Sequence, residues 1–238
     1  MRFNFPPLTP LVRALLIALA VAFVVEAVVD LVGVPVFQLL ALDLSYGDGI
    51  SYALAWQVFT HWFVWPTEPR ALIDVGLDLL MIYFFLCPFE KTFGQKQTVI
   101  LSAIGVLTGA FVAIALAFVF PRPLPWSGAS AIFAAAFGAF PVLFRDQKIM
   151  LFPLLIPMKA WHVILLGLGI SALVAVLARD PHIFVVHAAA LGAGVAYARW
   201  LTRPRDPKPT QRRKRRRSGP DLRVIDGGGD DDPPRWLN

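Results

Sequence analysis

The sequence has little charge and almost no cysteine. Only 16% of its 238 residues are charged, whereas ordinary globular chains carry about a quarter. The single cysteine, Cys87, lies inside an apolar run, so an intrachain disulfide is excluded. What the chain has instead is apolar sequence, since 57% of its residues are hydrophobic and its mean hydropathy is +0.64. These values predict an all-α, polytopic membrane protein.

Six apolar segments approach the roughly 20 residues that a helix needs to cross a bilayer. The first is interpreted as a retained helix rather than a cleaved signal peptide, because its apolar run continues well past the small-residue motif Ala18-Leu19-Ala20. A short polar turn containing Glu90, Lys91 and Lys96 separates the second segment from the third. The expected spans are Leu11–Val34, Leu72–Phe89, Thr98–Phe120, Gly128–Phe144, Ala160–Ala178 and His182–Leu201.

Two further segments are partly apolar but too interrupted to cross. We expect Pro35 to Arg70 to form a structured loop at the outer membrane surface, anchored there by Trp56, Trp62 and Trp65. Met150 to Met158 contains two prolines and is expected to lie along the membrane boundary.

Six spans place both termini on one side of the membrane, and the basic residues indicate which side that is. Cytoplasmic segments carry an excess of Lys and Arg. We therefore expect a multi-pass protein of a bacterial inner membrane with both termini in the cytoplasm. The cytoplasmic side collects Arg2, Arg13, Lys91, Lys96, Arg145, Lys148 and the basic tail, and the other side collects Arg70, Arg122 and Arg179.

The predicted membrane domain covers residues 1–201, and a tail covers residues 202–238. The tail contains the basic block Arg212–Arg217 and then a run of glycine, aspartate and proline, a composition that predicts disorder. The block either binds anionic lipid head groups, at about 1 kcal/mol per basic residue, or only fixes the topology. No nucleic-acid partner is expected, because no nucleic-acid-binding fold accompanies the charge.

With this orientation, polar residues near the starts of the second, fourth and sixth spans share one depth. They are Asp74, Asp78, Ser130 and His187. Ionisable residues inside a membrane are functional hypotheses by default, and a serine hydroxyl with an imidazole base is a minimal nucleophilic pair. Glu26 and Asp30 of the first span are instead expected to be interfacial carboxylates without a function.

Small residues follow Ser130 and His187 at helical spacing, at Ala134 and Gly138 and at Gly194 and Ala198. Such stripes let two helix backbones approach closely. We therefore expect the fourth and sixth spans to pack together and to bring Ser130 near His187.

From Trp56 to Arg199 the sequence resembles the rhomboid intramembrane serine proteases. The resemblance rests on Gly128-Ala129-Ser130, on Gly138-Ala139-Phe140, on His187 followed by Gly194 and Tyr197, on Trp56 to Thr60, and on Tyr83-Phe84-Phe85 with Glu90. It implies a six-helix rhomboid-like bundle in which Ser130 is the nucleophile and His187 is the general base and then acid. The substrates would be transmembrane helices of other membrane proteins, and no cofactor or metal is implied.

Two departures from the family pattern affect the oxyanion site. Ala131 replaces the glycine after the serine, and Asp74 and Asp78 replace the His-x-x-x-Asn pair whose side chains donate to the oxyanion. An ionised carboxylate only accepts hydrogen bonds. The Ser130 backbone N–H, on the turn at Gly128, would still donate to the oxyanion. Either Asp74 or Asp78 would supply a second donor if it kept its proton.

Three alternatives stay open at this point. Asp78 orients His187 in a triad-like arrangement, or the protein is a pseudoprotease that binds helices without cutting them. A metal or proton site made of Asp74, Asp78 and His187 ranks last, because it leaves Ser130 without a role.

Overall fold

The computed structural model describes residues 6–43, 54–119, 125–144, 148–151 and 156–203. Four helices in these ranges are long and apolar enough to cross a membrane. The protein is thus an all-α membrane protein, as its composition predicts. The elements are α1 (Pro10–Leu31), α2 (Val36–Leu40), α3 (Leu54–Thr60), a 3₁₀ turn (His61–Phe63), α4 (Ala71–Ala117), α5 (Ser130–Leu143), β1 (Lys148–Leu151), β2 (Ile156–Lys159), α6 (Ala160–Ala178) and α7 (Pro181–Leu201).

The chain divides into two units, Met1–Arg203 and Pro204–Asn238. The second unit, which carries the predicted disordered tail and its basic block, lies outside the described residues.

Helix α1 is attached to α4 by Glu90. The backbone N–H groups of Leu11 and Val12 donate to this carboxylate over 3.0 and 2.9 Å, and the Thr9 hydroxyl donates to it as well. These N–H groups belong to the first turn of α1, where no intrahelical acceptor exists and negative charge is favourable. A side chain from one helix therefore caps another, which fixes how α1 begins against the bundle.

Helix α4 contains both the second and the third predicted spans. Its 47 residues would extend about 70 Å as a straight helix, more than twice the thickness of a bilayer core. Gly94 breaks it with non-helical angles, φ 80° and ψ 171°, and we call residues 71–93 α4a and residues 95–117 α4b. Asp78 of α4a and Gly105 of α4b both contact the start of α5, so the chain reverses at Gly94.

This corrects the predicted connection between the second and third spans. The expected polar turn from Glu90 to Lys96 is helical on both sides of one glycine. Glu90 is buried there because its side chain caps α1, so its charge does not mark a loop.

Helix α5 is short and lies at the centre of the bundle. It has 14 residues, about 21 Å, and most of them are buried against α4 and α7. A Cβ on Gly138 would overlap the carbonyl of Leu191, and a Cβ on Gly194 would overlap the carbonyl of Ala135. The close approach of the fourth and sixth predicted spans is therefore confirmed.

The segments between the long helices differ in part from expectation. Strands β1 and β2 pair antiparallel, with Lys148 opposite Lys159. These strands were not predicted, and the expected position of Met150 to Met158 along the membrane boundary stays a prediction. Trp65 was expected to anchor the loop at the membrane interface, but its side chain is only 3% exposed and belongs to the core. Trp56 is 50% exposed, so the tryptophans of this loop do not share one role.

Candidate active site

The residues before Ser130 are held by three separate elements. Trp126 exchanges two backbone hydrogen bonds of 2.9 Å with Leu42, and the Gly128 N–H donates to the His61 carbonyl over 3.0 Å. The Ala129 N–H donates over 3.2 Å to Oδ2 of Asp78. Because the turn is anchored to the loop, the 3₁₀ turn and α4a, the position of Ser130 is fixed before any ligand arrives.

Gly128 is required at its place in this turn. Its φ is +86°, a conformation that residues with a side chain rarely adopt. A Cβ there would also lie 2.8 Å from Nε1 of Trp65. The glycine thus allows both the reversal of the chain and the close approach of the tryptophan ring to the serine turn.

Ser130 is the first residue of α5 and is half-buried. Among the described residues no side chain caps this helix. As at any helix start, its earliest backbone N–H groups lack acceptors within the helix. His187 of α7 lies at the same level, because its ring packs between Trp126 and Phe133, with centroids 5.9 and 6.0 Å away. The structure thus brings Ser130 and His187 to one region of the bundle.

The two residues are not hydrogen-bonded in this structure. Nε2 of His187 is buried and has no hydrogen-bond partner among the described residues. Nδ1 of His187 lies 3.5 Å from the hydroxyl oxygen of Ser171 on α6. That distance is at the long limit of a hydrogen bond, although such contacts in ligand-free sites often tighten when substrate binds.

Asp78 and Asp74 have different surroundings. Asp78 is buried at 8% exposure, and its Oδ2 accepts from Nε1 of Trp65 and from the Ala129 N–H, each over 3.2 Å. Asp74 is exposed in the first turn of α4, where a carboxylate is favourable at the positive end of a helix. Among the described residues, neither aspartate is hydrogen-bonded to His187.

Trp65 is held on two sides by carboxyl groups. Its backbone N–H donates over 3.1 Å to Oε2 of Glu26 on α1, and its indole N–H donates to Asp78. Phe23 of α1 also packs edge-on against its ring at 6.2 Å between centroids. Glu26 is therefore buried in the bundle, so the expectation that it lies at the membrane interface is wrong, and its function stays untested.

His61 supports the same turn from the loop side. It is fully buried, and its Nδ1 lies 3.0 Å from the carbonyl of Gln57, so Nδ1 carries the proton that is donated. Burial is the main cause that lowers the pKa of His61 from its ordinary value, and the hydrogen bonds to backbone oppose it. The His61 ring is therefore neutral at pH 7 and adds no positive charge beside the serine turn.

Sequence reasoning missed Trp65, Glu26 and Ser171 as site residues. Two of them carry a signal, because Glu26 is a carboxylate inside an apolar span and Ser171 is the only hydroxyl residue of α6. Trp65 carries no such signal in the sequence, since tryptophan is common both at the membrane interface and in protein cores. The described part of the chain has no group of three or more histidine, cysteine, aspartate or glutamate residues that would hold a metal ion.

Comparison with known families finds one match. The family model of the rhomboid domain matches residues 53–204, which is more than half of the chain and includes α3 to α7. No curated protein matches the chain.

Proposed function

Since the chain belongs to the rhomboid family, we propose that it is an intramembrane serine endopeptidase that cleaves transmembrane helices of other membrane proteins. The single observation that carries this proposal is the placement of Ser130. It stands at the start of a short, largely buried helix, on a turn fixed by three elements, at the level of the half-buried His187 ring.

The proposed reaction uses Ser130 and His187 as a dyad. The Ser130 oxygen attacks the scissile carbonyl carbon while its proton moves to Nε2 of His187, and the carbonyl electron pair moves onto the oxygen. The Ser130 N–H faces the developing negative charge. The peptide C–N bond then breaks as His187 returns the proton to the leaving nitrogen, and water releases the acyl group by the reverse sequence.

The proposed substrate is a transmembrane segment that unwinds locally. A continuous helix keeps its carbonyls in internal hydrogen bonds, so attack requires a broken stretch. We further propose that both termini are cytoplasmic in a bacterial inner membrane, that residues 1–201 form the membrane domain, and that the basic tail contacts anionic lipid. Asp74, being exposed, would act at most by its charge.

The alternative function is a pseudoprotease that binds helices without cutting them. Two observations favour it. Nε2 of His187 has no hydrogen bond to Ser130, and Asp78 of the second predicted span accepts hydrogen bonds at the serine turn rather than donating them. Under this alternative the bundle binds a partner helix but offers no reactive serine.

Labelling of intact membranes with a fluorophosphonate probe separates the two functions. We expect wild-type protein to be labelled, and Ser130→Ala and His187→Ala to lose labelling and cleavage of a generic transmembrane substrate. The double variant should be no worse than either single one, because the residues act as a unit. Ser102→Ala, which removes another serine in an apolar helix, serves as the matched control and should label normally.

Two results would count against the enzyme. Full cleavage by Ser130→Ala would exclude Ser130 as the nucleophile. A wild-type protein that is folded but never labelled would establish the pseudoprotease instead.

A further inference from the structure

Two N–H donors converge on one oxygen beside Ser130. The indole N–H of Trp65 and the backbone N–H of Ala129 both donate to Oδ2 of Asp78, each over 3.2 Å. All three groups are buried, and Ala129 directly precedes the serine. Two fixed N–H donors that point to one negatively charged oxygen next to a nucleophile are what stabilises an oxyanion.

Asp78 is the acceptor that an incoming oxygen can replace. The other acceptors on this turn are the backbone carbonyls of Leu42 and His61, which cannot leave without moving the main chain. Asp78 is held through a side chain, which changes rotamer with far less disturbance. Loss of this carboxyl group would free two donors while leaving the turn attached at its other points.

Trp65 does not depend on Asp78 for its position. Its backbone is bound to Glu26 of α1, its ring packs against Phe23, and its indole lies against Gly128, where no side chain intervenes. The indole N–H therefore stays directed at the serine turn when Asp78 changes.

We propose that Trp65 and the Ala129 N–H supply two oxyanion donors in addition to the Ser130 N–H, and that Asp78 occupies their site in the resting state. This inference rests on the proposed serine protease function. When Ser130 attacks, the carbonyl oxygen that gains the electron pair takes the place of Oδ2 and receives the two hydrogen bonds. Trp65 thereby fulfils the role that two aspartates in span two cannot fulfil as ionised acceptors.

The test compares the fluorophosphonate labelling rate and the kcat and KM for a transmembrane substrate in four variants of the full-length protein. Trp65→Phe removes the N–H and keeps an aromatic ring, so we expect labelling and kcat to fall about 100-fold, with KM nearly unchanged, as when one oxyanion donor is removed. Trp62→Phe is the matched control, because Trp62 belongs to the same loop and its indole N–H donates to the Phe59 carbonyl, away from the serine turn.

The aspartate variants test the resting-state occupancy. Asp78→Ala leaves the two donors open, so labelling should be at least as fast as in wild type. Asp78→Asn offers a neutral oxygen to the same donors, which an oxyanion displaces more easily, so it should also label at least as fast. If Asp78 were instead the protonated donor, Asp78→Ala would label more slowly than wild type, whereas Asp78→Asn, which keeps an N–H donor, would not. If Asp78 oriented His187, both variants would label more slowly than wild type.

Thermal unfolding first establishes that the variants fold, and each labelling result then leads to a different conclusion. Wild-type labelling with equal labelling of Trp65→Phe overturns the role of Trp65. Slower labelling of Asp78→Ala overturns the occupancy. Absence of labelling in both wild type and Trp62→Phe refutes the proposed function itself, which is a separate failure. A fall in Trp65→Phe together with a rise in Asp78→Ala supports the whole inference.

Discussion

Ser171 of α6 is the polar side chain that lies within 3.5 Å of Nδ1 of His187. A neutral imidazole has one protonated and one unprotonated nitrogen, and a hydrogen-bond partner at Nδ1 determines which of the two carries the proton. Donation from Nδ1 to the Ser171 oxygen leaves the lone pair on the buried Nε2, the atom that has to take the proton of Ser130. In the proposed reaction, Ser171 therefore positions the base and does not contact the substrate.

Ser171→Ala is expected to lower kcat about five- to tenfold with KM unchanged, since a neutral hydrogen bond contributes about 1 kcal/mol. Ser171→Thr keeps the hydroxyl and should restore most of the rate, which a purely packing role would not require. Turnover of a transmembrane substrate by both variants, beside their thermal unfolding, provides the measurement. Wild-type rates in Ser171→Ala would contradict the role. Loss of labelling in Ser171→Ala together with normal labelling of Ser130→Ala would make Ser171 the nucleophile.

Residue types alone indicated the candidate dyad but not its surroundings. Ser130 and His187 could be chosen as candidate catalytic residues from the sequence, because polar and ionisable residues are uncommon in apolar helices. Ser130 follows prolines and a glycine, and His187 precedes a row of small residues. The partners of Asp78 could not be predicted, because they are one backbone N–H and one indole from a loop. Neither group has a position that helical spacing fixes.

At the scale of the helices, the contact between α5 and α7 depends on two glycines. Gly138 and Gly194 each face a carbonyl of the opposing helix, so the backbones lie closer than any side chain permits. This contact sets the separation of Ser130 from His187, since each residue stands at the start of its own stripe. Small residues at four-residue spacing made this pairing predictable from the sequence.

Gly194→Ala and Gly192→Ala form a matched pair on α7. Alanine at Gly194 would overlap the carbonyl of Ala135, whereas alanine at Gly192 meets nothing within 4 Å. We expect Gly194→Ala to cost at least about 1–3 kcal/mol through overpacking and to lower the labelling rate. Gly192→Ala should be neutral or stabilising by up to about 1 kcal/mol through helix propensity. Thermal unfolding in detergent measures both, and equal stability of the two variants would contradict the close packing.

Other elements were harder to predict because tertiary contacts override local signals. The charged stretch around Glu90 is typical of a loop, yet it stays helical because its carboxylate caps a different helix. The hairpin from Lys148 to Lys159 was not predicted, since two prolines exclude a helix without indicating that strands pair. In both places the residue pattern alone did not indicate the secondary structure that forms.

At the scale of the whole molecule, basic residues gather at one end of the bundle. The end near Gly94 carries Lys91 and Lys96, and Tyr197 is hydrogen-bonded there to Gln97. Arg199 and Arg203 lie just beyond Tyr197, and Arg13 begins α1 beside Glu90. At the opposite end, around the serine turn, the described loops carry Arg70 and Arg179. This asymmetry favours a cytoplasmic location for the end away from Ser130.

Single-cysteine labelling tests that orientation with little disturbance, because the native cysteine is unique and its side chain is 1% exposed. In a Cys87→Ala background, Glu68→Cys places an exposed thiol on the loop before α4, and Arg203→Cys places one after α7. A membrane-impermeant maleimide added to intact cells should react with the thiol at position 68 only, and both should react after the membrane is opened.

The two sites lie at opposite ends of the bundle, since Trp65 borders the serine turn whereas Tyr197 pairs with Gln97 beside Gly94. Reaction at position 203 alone would invert the orientation and place the serine turn toward the cytoplasm. Equal reaction at both sites in intact cells would contradict a bundle that crosses the membrane between them, and with it the shared depth of Ser130 and His187.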